Sequence, residues 1–277
     1  MKKFLSGASV IVTGASSGLG RIMVRQLIEK YDCTVLGIAR SYDALVSLRE
    51  ELGDKKDKFS FLTFDISSRE KWNEFAQNID ENTQYDILIN NAGIMPEFKK
   101  ATDYDELEFE RVIEINLLGA YYSTKALLPH LKRGGRCGVV NISSSSALCP
   151  LAGTSAYSAS KSALKAFSEC VSAEEGKSVY IGYACPGFTK TNLFRSSDGF
   201  YDSKLISSLC SNAEKMTAKI LKGINKRKRR MIFGADARLM QFFYNIAPTL
   251  AAPTIRKVME KSSIAVFDKM FDKPVEK

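Results

Sequence analysis

Short apolar runs alternate with amphipathic stretches along most of the chain. The runs are rich in valine, isoleucine and phenylalanine, and most are soon followed by glycine, asparagine, aspartate or serine, as buried strands are. Strands are predicted at residues 8–12, 33–39, 59–64, 85–89, 139–142, 179–184 and 231–233, and helices at 42–52, 70–79, 107–128 and 154–175. This alternation predicts an α/β fold with a parallel, doubly wound sheet of about seven strands.

A glycine-rich turn, Thr13-Gly14-Ala15-Ser16-Ser17-Gly18-Leu19-Gly20, joins the first predicted strand to a helical pattern. Glycines let the backbone approach a pyrophosphate, and free amides at a helix start stabilise its charge. The G-x-x-x-G-x-G spacing differs from the G-x-G-x-x-G dinucleotide fingerprint, and a turn without function is the alternative. Between a strand and a helix, the turn predicts a Rossmann-type nucleotide site at Gly14, Ser16, Ser17, Gly18, Leu19 and Gly20.

The end of the second predicted strand indicates which nucleotide is bound. A Rossmann unit places there the residue that contacts the adenosine ribose, and an acidic residue accepts from the 2′-hydroxyl and repels a 2′-phosphate. Here the positions hold Ala39, Arg40 and Ser41. A guanidinium binds a phosphate through two hydrogen bonds and stacks on adenine, so Arg40 predicts NADP. The alternative is a surface arginine at a helix start.

Residues 135–161 carry the candidate chemistry. Tyr157 and Lys161 are one helical turn apart, which places both on one face. A phenol with a pKa near ~10 exchanges protons poorly at neutral pH, and we expect the Lys161 charge to lower the pKa of Tyr157. Ser144, at the end of a predicted strand, can hold a carbonyl or alkoxide oxygen. The alternative is an ordinary surface pair on a helix.

Taken together, these motifs resemble the short-chain dehydrogenase/reductase family over residues 5 to about 223. Ser144 is chosen within the run 143–146 because it lies thirteen residues before Tyr157, the family's usual interval. The chain departs from the family where Ala147 and Leu148 replace a glycine after the serines, which concerns the shape of that loop. The motifs that carry the resemblance are the glycine turn 13–20, Asp65, Asn90-Asn91-Ala92-Gly93, Asn116, Ser144, Tyr157-x-x-x-Lys161 and Pro186-Gly187-x-Thr189-x-Thr191.

The resemblance implies a role for each of these positions. Ser144, Tyr157 and Lys161 carry the chemistry, and Asn116 holds a water of the proton relay behind Lys161. Asp65, followed by Ile66, contacts the adenine. The segment 90–93 steadies the central strand and the cofactor. The implied cofactor contacts beyond the glycine turn and Arg40 are Asp65, Ile66, Asn91, Ala92, Gly93, Tyr157, Lys161, Pro186, Gly187, Thr189 and Thr191.

Composition narrows the remaining possibilities. A chain of 277 residues with 45% hydrophobic composition fits one domain over residues 1–277. The six cysteines lack metal-ligand spacing, which indicates a reducing compartment and no metal site, and predicts a cytoplasmic protein. Much of the +9 charge lies in the run from Lys226 to Arg230. A nucleic-acid site or nuclear signal there is disfavoured because no aromatic residues are interleaved with the charges.

The extension at 224–277 is open to two interpretations. Residues 239–255 carry no charge but include Pro248 and Pro253, which makes a membrane-spanning helix unfavourable. The apolar stripe packs either over the active-site mouth or a partner subunit, or in a membrane interface where the basic run meets anionic headgroups. The stripe consists of Leu239, Met240, Phe242, Phe243, Ile246 and Leu250. A further apolar lid over the substrate is predicted from Phe188, Phe194, Phe200 and Tyr201.

The sequence thus predicts an NADP(H)-dependent oxidoreductase that interconverts a ketone or aldehyde and an alcohol, on a lipophilic small molecule. The alternative is a non-catalytic, nucleotide-bound interaction protein on the same fold. Many family members dimerise through the helices predicted at 107–128 and 154–175, so the resemblance implies a homo-oligomer, a dimer or a tetramer. His130, the only histidine, is expected at a helix end without a catalytic role.

Overall fold

A parallel sheet forms the centre of the computed structural model, which describes residues 3–191, 193, 210–261, 264 and 267–271. Within that part of the chain its strands are β1 (Ser9–Thr13), β2 (Thr34–Ala39), β3 (Phe59–Thr63), β4 (Ile87–Asn90), β5 (Gly138–Ile142), β6 (Tyr180–Pro186) and β7 (Arg230–Phe233). The strands are ordered β3-β2-β1-β4-β5-β6-β7. Every neighbouring pair is parallel. The predicted doubly wound α/β fold is confirmed.

Helices connect these strands and cover both faces of the sheet. In the described residues they are α1 (Gly18–Tyr31), α2 (Tyr42–Glu51), α3 (Arg69–Gln77), α4 (Glu106–Ile113), α5 (Gly119–Leu131), α6 (Ser155–Glu174), α7 (Ala213–Asn225), α8 (Ala235–Ile246), α9 (Pro248–Lys261) and α10 (Asp268–Phe271). None of them is long and apolar enough to cross a bilayer.

The strand period of two divides the core into two layers. Val10 and Val12 of β1 belong to a buried cluster with Leu27 of α1. Ile11, which points to the opposite face, belongs to a second cluster with Trp72 of α3. Both faces of the central strands are therefore covered, which explains why these strands read as continuous apolar runs.

The prediction of one continuous helix over residues 107–128 is wrong in its bounds and its continuity. The chain forms α4, then a π-helical turn at Glu114–Leu118, then α5, which continues through Pro129 to Leu131. A proline inside a helix removes one hydrogen bond. Here the helix continues because Leu127 and Leu131 are fully buried in the second apolar layer, and burying a leucine is worth about 1.5–3 kcal/mol.

The apolar stretch 239–255 forms two helices where the sequence pattern indicated one stripe. Helix α8 ends at Ile246 and α9 begins at Pro248. Ala247 between them has φ −135° and ψ 65°. The proline ring disfavours helical angles at the residue before it, so the chain turns at this point.

Candidate active site

A groove of about 250 Å³ runs along the carboxyl edge of the sheet. Loops after parallel strands meet at this edge, where ligands of doubly wound folds bind. Apart from Gly20, Gly187 and Thr189, every residue that the sequence analysis assigned to the cofactor lines the groove. Residues that the sequence analysis did not single out also line it, namely Ala39, Phe64, Ile94, Ile115, Ile142, Ser143 and Leu193.

The glycine turn is shaped for close approach by a ligand. Gly14 and Gly18 have φ of +67° and +54°, which favour glycine. A Cβ on Gly20 would lie 2.1 Å from the carbonyl oxygen of Gly14, so Gly20 packs behind the turn instead of lining the groove. The Ser17 side chain makes no capping hydrogen bond, and the first turn of α1 holds no acidic residue. The helix start therefore presents amides to an anion.

Asn91 holds the glycine turn against the central strand. Its side-chain Nδ2 donates to the carbonyl oxygen of Thr13 at 3.0 Å, and its backbone amide donates to Thr13 Oγ1 at the same distance. The neighbouring Asn90 is buried, donates to Asn141 Oδ1 at 2.9 Å and accepts from Ser123 Oγ. These pairings fix the ends of β1, β4 and β5 relative to one another. Sequence reasoning missed Asn141 and Ser123, because each lies inside an ordinary strand or helix pattern and belongs to no motif.

Arg40 stands exposed at the rim of the groove. The following residue, Ser41, caps α2 by accepting from the amide of Ala44. Arg40 itself has no hydrogen bond or ion pair with another residue of the described chain, so its guanidinium is available to a ligand.

Asp65 forms an ion pair with Arg111 of α4, a residue that sequence reasoning missed. The carboxylate of Asp65 also accepts from the Ser67 amide at 3.0 Å and from Ser67 Oγ at 2.8 Å. Burial acts to raise the pKa of Asp65, but the hydrogen bonds from Ser67 and Arg111 outweigh it and hold this pKa below its usual value. The carboxylate is thus a fixed, ionised acceptor on the groove wall.

Tyr157, Lys161 and Ser144 meet at the inner end of the groove. The three side chains are buried, and the Tyr157 hydroxyl is hydrogen-bonded to Ser144. Lys161 Nζ donates to the carbonyl oxygen of Ile142 at 3.0 Å and lies 5.8 Å from the centre of the Tyr157 ring. The four-residue helical spacing predicted that Tyr157 and Lys161 lie on one face, and that face packs against the end of β5.

The expectation that Lys161 lowers the pKa of Tyr157 is wrong in this structure. Burial raises the pKa of Tyr157 to about 12. Burial also lowers the pKa of Lys161 to about 8. Removing a charged form from water costs free energy, so burial shifts each group towards its neutral form. Tyr157 is accordingly a protonated phenol at neutral pH.

Asn116 is oriented by the loop after β4. Its Oδ1 accepts from the Ile94 amide at 2.8 Å, and its Nδ2 donates to the Ile94 carbonyl at 2.9 Å and to Ser160 Oγ at 3.0 Å. A Cβ on Gly93 would lie 3.0 Å from Lys161 Nζ and 3.1 Å from Asn116 Oδ1. Asn116 lies in the π-helical turn, a distortion often found at functional sites. The structure therefore places Asn116 beside Lys161.

A smaller recess of about 50 Å³ opens in front of Ser144 and Tyr157. Gly187 and Thr189, which do not line the groove, line this recess. Its wall is mostly apolar and includes Leu19, Met95, Leu151, Phe188 and Leu193. Phe188 thus lines the recess, whereas Phe194, Phe200 and Tyr201 lie outside the described residues, so the predicted lid stays a prediction.

Apolar residues that pack against the wall of this recess come from a part of the chain that sequence reasoning missed. Tyr157 belongs to a buried apolar cluster with Met95, Phe98, Met259, Ile264, Phe267 and Met270. The ring centres of Phe98 and Phe267 are 5.0 Å apart. The methionine and phenylalanine residues after residue 258 were the sequence signal that could have indicated this apolar packing.

Four of the six residues of the apolar stripe, for which cover of the active-site mouth was one open alternative, face outward. Leu239, Phe242, Ile246 and Leu250 are 61–68% exposed. The alternative in which these four residues cover the active-site mouth is therefore wrong, and packing against a partner subunit or a membrane interface stays a prediction. His130 lies in the last turn of α5, as expected.

The sequence and this geometry agree with a comparison to known proteins. The family model for short chain dehydrogenases matches residues 8–201. The chain belongs to the short-chain dehydrogenase family. As a member of this family it is an oxidoreductase with dehydrogenase/reductase activity.

Relatives and solved structures extend the likeness beyond the matched segment. A 3beta-hydroxysteroid dehydrogenase 2 from Eggerthella lenta is 31% identical over 194 residues, 68% of this chain and 74% of that protein. Dehydrogenase/reductase SDR family member 7B from Xenopus tropicalis is 32% identical over 265 residues, 89% of this chain and 84% of its own length. The crystal structure of a short-chain dehydrogenase from Streptomyces avermitilis is 27% identical, with a TM-score of 0.76 over 93% of this chain and 99% of that one.

Proposed function

We propose that this short-chain dehydrogenase is NADP(H)-dependent and interconverts a ketone or aldehyde with the corresponding alcohol on a lipophilic small molecule. The observation that carries the proposal is the convergence of Ser144, Tyr157 and Lys161 where the nucleotide groove meets an apolar recess. A non-catalytic nucleotide-bound protein has no need of a buried phenol and lysine at this junction, because burying them costs stability.

The groove residues fit an NADP(H) molecule. The open amides of α1 suit the pyrophosphate, Arg40 suits the 2′-phosphate, and Asp65 with Ile66 suits the adenine. The loop 91–93, Tyr157 and Lys161 suit the nicotinamide ribose, and the segment 186–191 suits the nicotinamide. When bound, NADPH supplies the hydride. The protein contributes the orientation of the substrate oxygen and the proton that this oxygen receives.

The side chains have distinct tasks in reduction. Ser144 Oγ donates to the carbonyl oxygen and holds it beside the Tyr157 hydroxyl. The proton moves from Tyr157 Oη to this oxygen as the alcohol forms, and the O–H bond of the phenol breaks. The ammonium of Lys161 stabilises the phenolate left behind, and Asn116 holds the relay that returns a proton. In oxidation the same proton moves in the opposite direction.

The substrate class follows from the recess. Its walls include methionine, leucine and phenylalanine side chains, and Met95 and Tyr157 of the wall pack in one apolar cluster with Met259, Ile264, Phe267 and Met270. Apolar substrate surface is stabilised there by about 25 cal/mol for each Å² removed from water. We therefore favour a carbonyl group on a lipophilic framework.

NADPH oxidation with a panel of lipophilic ketones, steroids and sugars tests the proposal. Turnover of one or more lipophilic ketones is expected. NADPH binding by calorimetry without turnover of any carbonyl substrate would instead favour the non-catalytic alternative.

Reduction is expected to slow as pH rises through about 8, where Lys161 loses its proton. The neutral amine no longer stabilises the phenolate, so kcat/KM for the ketone falls with a one-proton dependence. Steady-state rates between pH 6 and pH 10 measure this. Constant kcat/KM across this interval would contradict the role of Lys161.

Deprotonation of Lys161 does not destabilise the fold, so unfolding does not explain the expected fall in kcat/KM. The folded pKa of about 8 lies below the ordinary 10.5, so between these values the unfolded chain binds more protons. The contribution of this group to stability therefore improves as pH rises through the interval. Thermal unfolding measured in the same buffers separates the two effects.

We also propose a cytoplasmic, homo-oligomeric protein that makes peripheral contact with anionic membranes and does not bind nucleic acid. The basic run 226–230 is exposed, and Arg230 and Arg238 line a surface groove together with Phe242 of the outward-facing stripe. Cations beside an exposed apolar helix face complement an anionic lipid interface. This surface, which combines basic and apolar side chains, supports the membrane alternative, because the exposed stripe residues do not cover the recess.

Phe242→Glu is expected to abolish flotation of the protein with anionic vesicles, because it places a negative charge in the apolar contact. Leu62→Glu is the matched control, since Leu62 is 37% exposed on β3, at the opposite edge of the sheet from β7 and the basic run. Binding of the wild type should weaken as salt is raised. No flotation of the wild type, or loss of a dimer in Phe242→Glu, would contradict the membrane contact; the latter would assign the surface to a second copy.

A further inference from the structure

The carboxylate of Asp236, in the first turn of α8, lies between two glycines. Its Oδ2 accepts from the backbone amide of Phe188 at 2.6 Å. A Cβ on Gly187 would lie 2.2 Å from each carboxylate oxygen, and one on Gly234 would lie 2.3 Å from Oδ1. Gly234 also has φ of +113°. Any side chain at either glycine would therefore displace the carboxylate.

The surroundings show what this carboxylate interacts with. Asp236 is half-buried, and no lysine or arginine in the described ranges forms an ion pair with it. It accepts a hydrogen bond from the amide of Phe188, and the amides at the start of α8 also favour its charged form. Burial nevertheless raises the pKa of Asp236. A half-buried carboxylate without an ion-pair partner is maintained by these amides, one of which comes from a distant loop.

The loop that Asp236 holds borders both cavities. Pro186 lines the nucleotide groove, while Gly187, Phe188 and Thr189 line the recess in front of Tyr157. The Gly187 amide also donates to the carbonyl oxygen of Phe233 at 2.7 Å, immediately before α8. Asp236 lines neither cavity. Asp236 can therefore influence a reaction in these cavities only by changing the position of the 186–189 loop.

We propose that Asp236 is a positioning residue that fixes the 186–189 loop between the nicotinamide site and the substrate recess. It couples the C-terminal extension to the reaction site, because α8 supplies the acceptor for the Phe188 amide. Phe188 packs in the same apolar cluster as Tyr157 and Met259. A change in the loop therefore alters how a substrate is held against Tyr157. This inference rests on the proposed reductase function.

The test compares Asp236→Ala and Asp236→Asn with the wild type. Loss of a hydrogen bond to a charged group typically corresponds to a tenfold effect or more. We expect Asp236→Ala to raise the KM for the ketone about tenfold with a smaller change in kcat, and Asp236→Asn to recover part of the loss because its carbonyl oxygen still accepts from Phe188. Asp105→Ala is the matched control, since Asp105 also caps backbone amides at a helix start but borders neither cavity.

Hydrogen–deuterium exchange separates this inference from the proposed function. Faster exchange of the 186–191 backbone in Asp236→Ala, but not in Asp105→Ala, is expected whether or not a substrate turns over. A wild type that oxidises no NADPH with any ketone overturns the reductase proposal, and the exchange result still decides the loop contact. Unchanged exchange in Asp236→Ala, or an equal rise in KM in Asp105→Ala, overturns the positioning role. If Asp236→Ala does not fold, Asp236→Asn is judged by the same exchange and KM criteria.

Discussion

Tyr157→Phe is expected to remove nearly all turnover and to leave NADPH binding almost unchanged. Only the phenolic oxygen is lost, and this oxygen donates the proton that the substrate oxygen receives. General acid–base catalysis contributes about 10²–10⁴ in rate, so kcat should fall by at least about 100-fold. The ring remains in the apolar cluster with Met95 and Phe98, which preserves the fold. Single-turnover rates with NADPH and a ketone, together with a fluorescence titration of NADPH, measure the two quantities.

Tyr180→Phe provides the matched control. Tyr180 is also buried, and its hydroxyl donates to the Lys228 carbonyl at 2.8 Å, away from the groove. Its removal should lower the free energy of unfolding by about 1 kcal/mol and leave turnover intact. Turnover of Tyr157→Phe close to that of the wild type would show that another group donates the proton.

Arg40→Asp is expected to shift the preference of the enzyme from NADPH towards NADH. The guanidinium at the groove rim is replaced by a carboxylate that repels a 2′-phosphate and accepts from a 2′-hydroxyl. Loss of a charge-assisted, two-pronged contact and gain of a repulsion together should change the ratio of kcat/KM values by about 100-fold or more. The ratio is measured with both cofactors and one ketone.

Arg49→Asp is a suitable control, because Arg49 is exposed on the same helix that follows Arg40 but does not line the groove. The same change of charge there should leave the cofactor ratio close to that of the wild type. If both variants behave alike, or if Arg40→Asp keeps the ratio, Arg40 is a surface residue and the assignment of NADP loses its support.

Local patterns in the sequence were enough to predict the sheet, because the signals for its elements lie within a few residues of one another. Apolar runs followed by turn residues marked the strands, with ends displaced by one or two residues, as at residues 8–12 for β1. The helical spacing of Tyr157 and Lys161 likewise predicted their common face. The carboxyl edge of a parallel sheet then brings the glycine turn, Arg40 and Ser144 together by topology alone.

Contacts between distant parts of the chain were decided only by the tertiary structure. Asp65 is paired with Arg111, and the amide of Phe188 with Asp236. The apolar cluster around Tyr157 is completed by Met259, Ile264, Phe267 and Met270. Nothing in the sequence near either partner specifies the other, since each pairing depends on how helices and loops dock on the finished sheet.

The direction of the Tyr157 pKa shift illustrates the same division. Sequence spacing determined that a lysine lies beside the phenol, and this alone predicted a lowered pKa. The depth of burial determined the outcome, because desolvation raises the pKa of Tyr157 and lowers that of Lys161. Spacing along a helix is a local property of the chain. Exclusion of water is a property of everything packed around the site, so only the tertiary structure decided it.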